Sequence, residues 1–421
     1  MLISVYNYLK GKSEQFMFYS TVVLLVLSIL PITMCLPLFL RHILQLLAML
    51  GFFIGIVLNK DRKLLLVYCL VMAVFFLQIY QVWRFNKKSF SSVAFSVFTD
   101  WSFVFYGLAL YKLKNTKLQK YLLNGLFIAV TLTAVTTIIG LFADPLAVRE
   151  LGRSDLSYSY TGVTGKAFAE IKWGYRIRNI AGWNQLYGMA FVIPCLLFVY
   201  KKTKKWIYLA GAVICTLCVI KAQLMFALLL TGMMILFSFV KPSFKRKPLM
   251  IEGGILVLAV LFIDDLILLA SNLTAKLGMS MLPKKLHDFY LLLHGTDTGS
   301  ALARTNVYSR ALDIIKEHPL LGRLFYGVNK KVVFSYHSDV LDLLAFFGLL
   351  IGGVVIIGCI YMYIRYILSI EHSDKWLVIL LLFGFMIMAI LNPVWYSPQV
   401  YTAVFLMPAL IANLYNKSEC K

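Results

Sequence analysis

The chain has 421 residues, of which 61% are hydrophobic and 14% are charged, and its formal net charge is +22. This composition excludes a soluble globule, because there are too few polar residues to cover one, and it predicts a polytopic membrane protein. In a soluble protein this charge would indicate nucleic acid, but in a membrane protein Lys and Arg mark topology and attract anionic headgroups. We therefore expect membrane lipid as a partner and no nucleic acid.

Apolar runs dominate the chain from end to end. A membrane core of roughly 30 Å needs about 20 apolar residues per helix, and twelve runs approach that length. They lie at 17–38, 42–58, 64–82, 93–111, 121–142, 182–200, 206–220, 222–240, 248–270, 337–364, 376–393 and 399–415. The sequence thus predicts an all-α fold with about twelve transmembrane helices in a single membrane domain covering residues 1–421.

Basic residues between the predicted spans indicate orientation, since short cytoplasmic loops collect Lys and Arg. With all twelve spans in place, five basic clusters fall on one side: Lys60 to Lys63, Lys112 to Lys120, Lys201 to Lys205, Lys241 to Lys247, and the tail from Lys417 to Lys421. The short loop from Arg84 to Lys88 falls on the opposite side and disagrees. The balance predicts a multi-pass protein with both termini in the cytoplasm.

Two segments are too long and polar to serve only as connectors. They run over about residues 143–181 and 271–336, and both are net positive on the predicted external side. One interpretation is that they are solvated loops, because the charge rule weakens for long loops. The other is that their arginines face an anion, since a guanidinium makes paired hydrogen bonds to phosphate.

The second segment leads into a predicted helix and then into the next span. Residues 304–315 have a helical pattern that places Tyr308 near the face of Arg304, and Pro319 and Gly322 end it. Arg304 would lie beside the free backbone donors of the helix start, which favour anions. His337 opens the following span, where the helix dipole disfavours the imidazolium and leaves a ring able to accept a proton.

Polar residues that follow His337 are candidates for orienting its ring. Ser338, Asp339 and Asp342 are all close enough in sequence for this role. The alternative is that the histidine is only a capping or interfacial residue at a helix end. Taken alone, the residues leave both interpretations open.

Three motifs in this order resemble a known family. They are Arg304-Thr-Asn-Val-Tyr-Ser-Arg-Ala, then Pro319-Leu-Leu-Gly, then His337-Ser-Asp-Val-Leu-Asp-Leu-Leu leading to Gly348 and Gly352. Together they are similar to the C-terminal signature of the bacterial O-antigen ligase and Wzy polymerase superfamily. Upstream, Arg178-Asn-Ile-Ala-Gly-Trp-Asn-Gln resembles that family's arginine segment. The chain departs from the pattern at Lys221, where the family often has a Ser-Arg pair, and the spacing does not separate Arg176 from Arg178.

The resemblance implies a membrane glycosyltransferase of the GT-C type acting at the outer face of a bacterial cytoplasmic membrane. Donor and acceptor would be undecaprenyl-diphosphate-linked oligosaccharides, with a chain-length regulator as a further partner. The resemblance also implies that His337 is the catalytic base and that Tyr308, Asp339 and Asp342 support it. Diphosphate binding would fall to four arginines: Arg178, Arg304, Arg176 and Arg310. The reaction would invert the anomeric carbon and require neither metal nor cofactor.

Three alternatives remain at this level. Details around His337 and at Asn392-Pro-Val-Trp-Tyr-Ser-Pro resemble polymerases of O-antigen or capsule more than ligases, which transfer finished polymer to the lipid A core of lipopolysaccharide. A flippase or transporter would also have about twelve spans, but it predicts ionisable residues in mid-span and an internal repeat. A scaffolding protein would not need paired arginines.

Overall fold

The computed structural model of the chain describes residues 13–58, 115–152, 162–239, 263–323 and 337–415, except positions 277, 280, 296–298, 371–374, 393, 395 and 396. Every regular element within these residues is a helix. The predicted spans at 64–82 and 93–111, and most of the one at 248–270, lie outside the described residues.

The helices follow the predicted apolar runs closely. In chain order they are α1 (Ser13–Ile29), α2 (Leu38–Leu58), α3 (Thr116–Ala143), α4 (Ala147–Leu151), α5 (Gly165–Ile177), α6 (Trp183–Thr203), α7 (Trp206–Ala222), α8 (Met225–Phe239), α9 (Ile263–Lys276), α10 (Leu282–Leu293), α11 (Gly299–Glu317), α12 (Asp339–Ser369), α13 (Lys375–Leu391), α14 (Pro398–Tyr401) and α15 (Met407–Tyr415). A short 3₁₀-helix, Pro31–Cys35, joins α1 to α2, and a π-helical turn, Thr402–Leu406, joins α14 to α15.

Four of these helices are long and apolar enough to cross a membrane, namely α2, α3, α6 and α12. Four shorter apolar helices, α1, α7, α8 and α13, pack among them. The prediction of an all-helical fold is therefore confirmed for the described residues, and the four long helices have the length and composition that a membrane span requires. The count of twelve spans and the GT-C type of fold stay predictions.

The first predicted span ends earlier than expected. Residues 17–38 were predicted as one span, but α1 ends at Ile29 and the chain turns through the 3₁₀-helix before α2 begins. Proline has no N–H to donate and clashes with the preceding turn, so Pro31 and Pro37 cannot continue a helix. The two helices then pack tightly where a Cβ on Gly51 would lie 2.4 Å from Ser20 Oγ.

The core of the structure is α6 together with the last three helical segments. From Leu186 to Val199 most side chains of α6 are buried, as are residues 400–412. The contact is close at Gly188, where a Cβ would lie 2.9 Å from the Cβ of Gln399. This packing fixes the start of α6 against the start of α14.

The two long polar segments meet at one end of the bundle. Arg149, which follows α3, donates from Nη2 to the carbonyl of Gln223 between α7 and α8 (2.8 Å). The side chain of Gln223 in turn accepts a hydrogen bond from the backbone N–H of Met281 (3.0 Å). The other end of the bundle carries Lys201, whose Nζ donates to the carbonyl of Ser238 (2.6 Å).

Candidate functional site

His337 lies immediately before the N-cap of α12 and is half-buried. The helix begins two residues later than the predicted span, because the Ser338 hydroxyl accepts a hydrogen bond from Leu341 N (3.2 Å) and caps it. The Tyr308 hydroxyl on α11 lies 3.3 Å from the carbonyl oxygen of His337 and 3.1 Å from that of Leu391. Tyr308 thus ties α11, the start of α12 and the end of α13 together at the histidine.

Asp339 connects the same helix start to the segment between α13 and α14. Its buried carboxylate accepts a hydrogen bond from Val394 N at 2.6 Å. Asp342, one turn later, donates its backbone N–H to the carbonyl of Ser338 (3.0 Å), as expected in a first helical turn. Asp339 therefore holds the 391–399 segment, a contact that the sequence did not indicate.

The Pro319-Leu-Leu-Gly turn docks onto a break inside α12. The helix is interrupted at Gly348, whose φ of 65° and ψ of −175° are non-helical. Three backbone hydrogen bonds join the turn to the break: Leu349 N to Pro319 O (2.7 Å), Leu350 N to Leu320 O (3.0 Å) and Arg323 N to Ala345 O (3.1 Å). Groups that an unbroken helix would pair internally are thereby satisfied by the turn. We call this arrangement the backbone clasp.

The first polar segment folds back on α3. Tyr175 on α5 donates its hydroxyl to Asp144, which follows α3. Burial, and then this hydrogen bond, raise the pKa of Tyr175 above its usual value, whereas Arg178 acts in the opposite sense. The phenol therefore remains a donor at neutral pH.

Asn179 fixes the turn between α5 and α6. It has a left-handed backbone (φ 57°), and its side chain accepts from Ile32 N (3.3 Å) and donates to the hydroxyl of Thr133 (3.1 Å). Asparagine tolerates this conformation better than most residues. Arg176 and Arg178 therefore lie between two residues that are hydrogen-bonded to α3 and its C-cap, since Tyr175 binds Asp144 and Asn179 binds Thr133.

The structure separates the two arginines that the sequence did not. Arg178 is the C-cap of α5 and is exposed to solvent. Arg176 is half-buried and lines a cavity of about 290 Å³ together with Gln185 of α6 and Gln399 of α14. Arg176 is therefore the better placed of the pair to contact a bound anion.

The second pair of arginines lies on α11. The helix begins at Gly299, five residues before Arg304, so its free backbone donors precede that residue. The expectation that Arg304 stands at the helix start is thus wrong. Its position on α11 is described, but its side chain is outside what the structure describes. Arg310 is exposed on the same helix.

Both halves of the predicted site lie beside residues that precede α14, namely Leu391 and Val394, or begin it, namely Gln399. Tyr308 and Asp339 reach Leu391 and Val394 from the histidine side, and Gln399 lines the cavity of Arg176. No protein-family model and no curated protein sequence matches this chain.

Sequence reasoning missed several polar side chains at this end. Gln185 and Gln399 line the cavity, and Asn392 is buried with no partner for its Nδ2 among the described residues. Lys221, whose role was open, lies with Nζ 4.4 Å from the ring centroid of Phe142. A signal for Gln185 and Gln399 was their position at the starts of the apolar runs 182–200 and 399–415. No group of three or more His, Cys, Asp or Glu side chains suited to a metal occurs in the described ranges.

Proposed function

We propose that this protein is a Wzy-type polysaccharide polymerase, which joins polyprenyl-diphosphate-linked oligosaccharide repeat units at the outer face of a bacterial cytoplasmic membrane. The observation that supports it most is that His337 and Arg176 belong to two halves that contact one segment, 391–399. The candidate base and the candidate anion-binding group thus belong to parts of the fold that are connected through Leu391, Val394 and Gln399. Glycosyl transfer from a lipid diphosphate needs both groups.

The charge distribution supports an external site. The end of the bundle opposite to His337 carries basic residues at the termini of α3, α6 and α7: Lys117, Lys120, Lys201, Lys202, Lys204 and Lys205. By the positive-inside rule this end faces the cytoplasm. The candidate site then faces the outer side, where extracellular polysaccharide is assembled.

In the proposed step, a hydroxyl of the acceptor sugar attacks the anomeric carbon of the donor. A ring nitrogen of His337 takes the hydroxyl proton as the new C–O bond forms. The bond from the anomeric carbon to the phosphate oxygen breaks, and its electron pair leaves with the polyprenyl diphosphate. Arg176, with Arg178, Arg304 and Arg310 as further candidates, stabilises that negative charge. Attack opposite the leaving group inverts the configuration.

A histidine substitution in cells tests the base. His337→Ala is expected to abolish polymer, because loss of a general base costs about 10²- to 10⁴-fold in rate. His294→Ala is the matched control, since His294 is exposed and lies in the second polar segment, which leads to His337. Polymer length is read on gels at equal protein abundance. Normal polymer in both His337→Ala and Arg304→Ala would refute the proposal.

The lipid-linked saccharides that accumulate distinguish the alternatives. A polymerase defect leaves single repeat units on the outer face, whereas a ligase defect leaves long lipid-linked polymer. A flippase defect traps single units on the cytoplasmic face. Protection of the units from an externally added glycosidase in intact spheroplasts separates the first outcome from the third.

The anion-binding role is tested on Arg176. Arg176→Ala is expected to lower turnover by about 10²-fold, and Arg176→Lys to restore part of it, since lysine keeps the charge but loses the planar fork. Lys166→Ala, on the exposed start of α5, is the control. Equal turnover in Arg176→Ala and Lys166→Ala would remove Arg176 from the mechanism.

A further inference from the structure

The cavity beside Arg176 contains an aromatic side chain that the proposed mechanism does not use. Its wall includes Trp183 and Asn184 at the start of α6, as well as Gln185 and Gln399. Its volume of about 290 Å³ is at the lower limit of small-molecule pockets, which measure roughly 300–1,000 Å³. The space suits a group of one or two sugar rings better than a whole repeat unit.

Trp183 is held firmly yet remains accessible. A Cβ on Gly152 would lie 2.3 Å from the indole Cε2 and 2.6 Å from Nε1, so the indole rests on the glycine backbone. Even so, 39% of Trp183 is exposed. An indole supported from behind by backbone is a rigid apolar surface, against which the C–H face of a sugar can pack.

Amide side chains near this surface are fixed in orientation. The Oε1 of Gln185 accepts from Gly182 N (3.0 Å), and the Oε1 of Gln399 accepts from the Ser397 hydroxyl (3.2 Å). Gln399 also donates from Nε2 to the carbonyl of Ser28. Amides carry both donors and acceptors, as sugar hydroxyls do, and fixed side chains lose little entropy on binding.

We propose that this cavity binds the sugar ring next to the diphosphate, with Trp183 packed against the ring and Arg176 toward the phosphate. This inference rests on the proposed function and assigns a saccharide subsite to it. Because Arg176 and Trp183 line the same cavity, a sugar ring packed on Trp183 must be the one attached directly to the diphosphate that Arg176 binds. Trp183 and the amides are then specificity-determining residues.

Binding measurements on the purified full chain in nanodiscs test the subsite with two probes. One is farnesyl diphosphate, which has no sugar, and the other is the lipid-linked repeat unit extracted from cells that lack this protein. Trp183→Ala should weaken repeat-unit binding about three- to tenfold and change farnesyl diphosphate binding by less than about twofold. Trp183→Phe should retain most of the affinity. Gly152→Ala, which displaces the indole without removing it, should reproduce the loss.

The control for a general interfacial role of tryptophan is Trp206→Ala, since Trp206 is 71% exposed at the start of α7. Equal effects of Trp183→Ala and Trp206→Ala would overturn the subsite, as would an equal loss of both probes in Trp183→Ala. Failure of the proposed function gives a different pattern, in which Arg176→Ala weakens neither probe. If Arg176→Ala weakens both and Trp183→Ala weakens neither, only the subsite is wrong.

Discussion

The backbone clasp between the Pro319-Leu-Leu-Gly turn and α12 gives the sharpest structural prediction. Gly348 has φ 65° and ψ −175°, a region that is accessible almost only to glycine. A Cβ there would lie 2.3 Å from the carbonyl oxygen of Leu320 and 2.4 Å from the backbone nitrogen of Gly322. Because both neighbours are backbone atoms, no side-chain rotation relieves the clash. Gly348→Ala must open the clasp or strain it.

The cost follows from the two contributions that the substitution disturbs. Strain at such a backbone position amounts to about 1–3 kcal/mol. Each of the three backbone hydrogen bonds of the clasp contributes about 0.5–1.5 kcal/mol net. The substitution either keeps the strained conformation or gives up the clasp, so the expected loss in the free energy of unfolding is about 1–5 kcal/mol. Activity should fall as well, because the clasp fixes α12 and hence the position of His337.

Thermal unfolding in detergent measures this loss. The folded fraction that remains after each heating step is monitored by size-exclusion chromatography of the fluorescently tagged protein. The unfolding midpoint of Gly348→Ala should fall by roughly 1–5 °C, because the unfolding entropy of a chain of this length makes 1 kcal/mol worth about 1 °C. Gly353→Ala is the matched control, since it lies in the same helix with open space around an added Cβ. It should be neutral or slightly stabilising, as alanine is the better helix former. Equal midpoints for the two variants would refute the reasoning.

Other contacts give predictions that the same unfolding measurement checks. Asp339→Ala leaves the buried N–H of Val394 unpaired and should cost about 1–3 kcal/mol, whereas Asp339→Asn keeps an acceptor and should recover part of this; equal losses would contradict the hydrogen bond. Asn179→Ala should cost about 1 kcal/mol more than Asn179→Gly, because alanine is strained at φ 57° and glycine is not, and equal costs would contradict this. The raised pKa of Tyr175 means that its contribution is complete below about pH 10 and is lost as pH rises through the folded pKa. The stability advantage of wild type over Tyr175→Phe should therefore shrink above about pH 10; an advantage that grows there would contradict the predicted sign.

The helical, membrane-embedded nature of the protein follows from composition and local pattern alone. The runs 121–142 and 182–200 predicted the ends of α3 and α6 to within about five residues. This is possible because an apolar helix is specified by its own residues. The exceptions occur where proline or glycine acts. Pro31 ended α1 early, and Gly348 broke a run that looked continuous.

The sequence predicted some features of the candidate site and not others. Residue types and order indicated His337 and a group of arginines. The spacing did not distinguish Arg176 from Arg178. Two side chains that are two residues apart at the end of a helix point in different directions, but which of them faces a cavity depends on how the helix packs against its neighbours. The spacing also gave Arg304 a helix-start position that α11 does not provide.

By itself, the sequence determined that the chain enters a membrane as helices and that its polar chemistry lies in two segments between them. Only the tertiary structure decided that both segments meet at one end, and that Arg176, Gln185 and Gln399 line one cavity. Apolar periodicity is a local property that each helix carries in its own residues. A shared cavity depends on packing between residues more than two hundred positions apart, as between Gly188 and Gln399, and no local pattern records it.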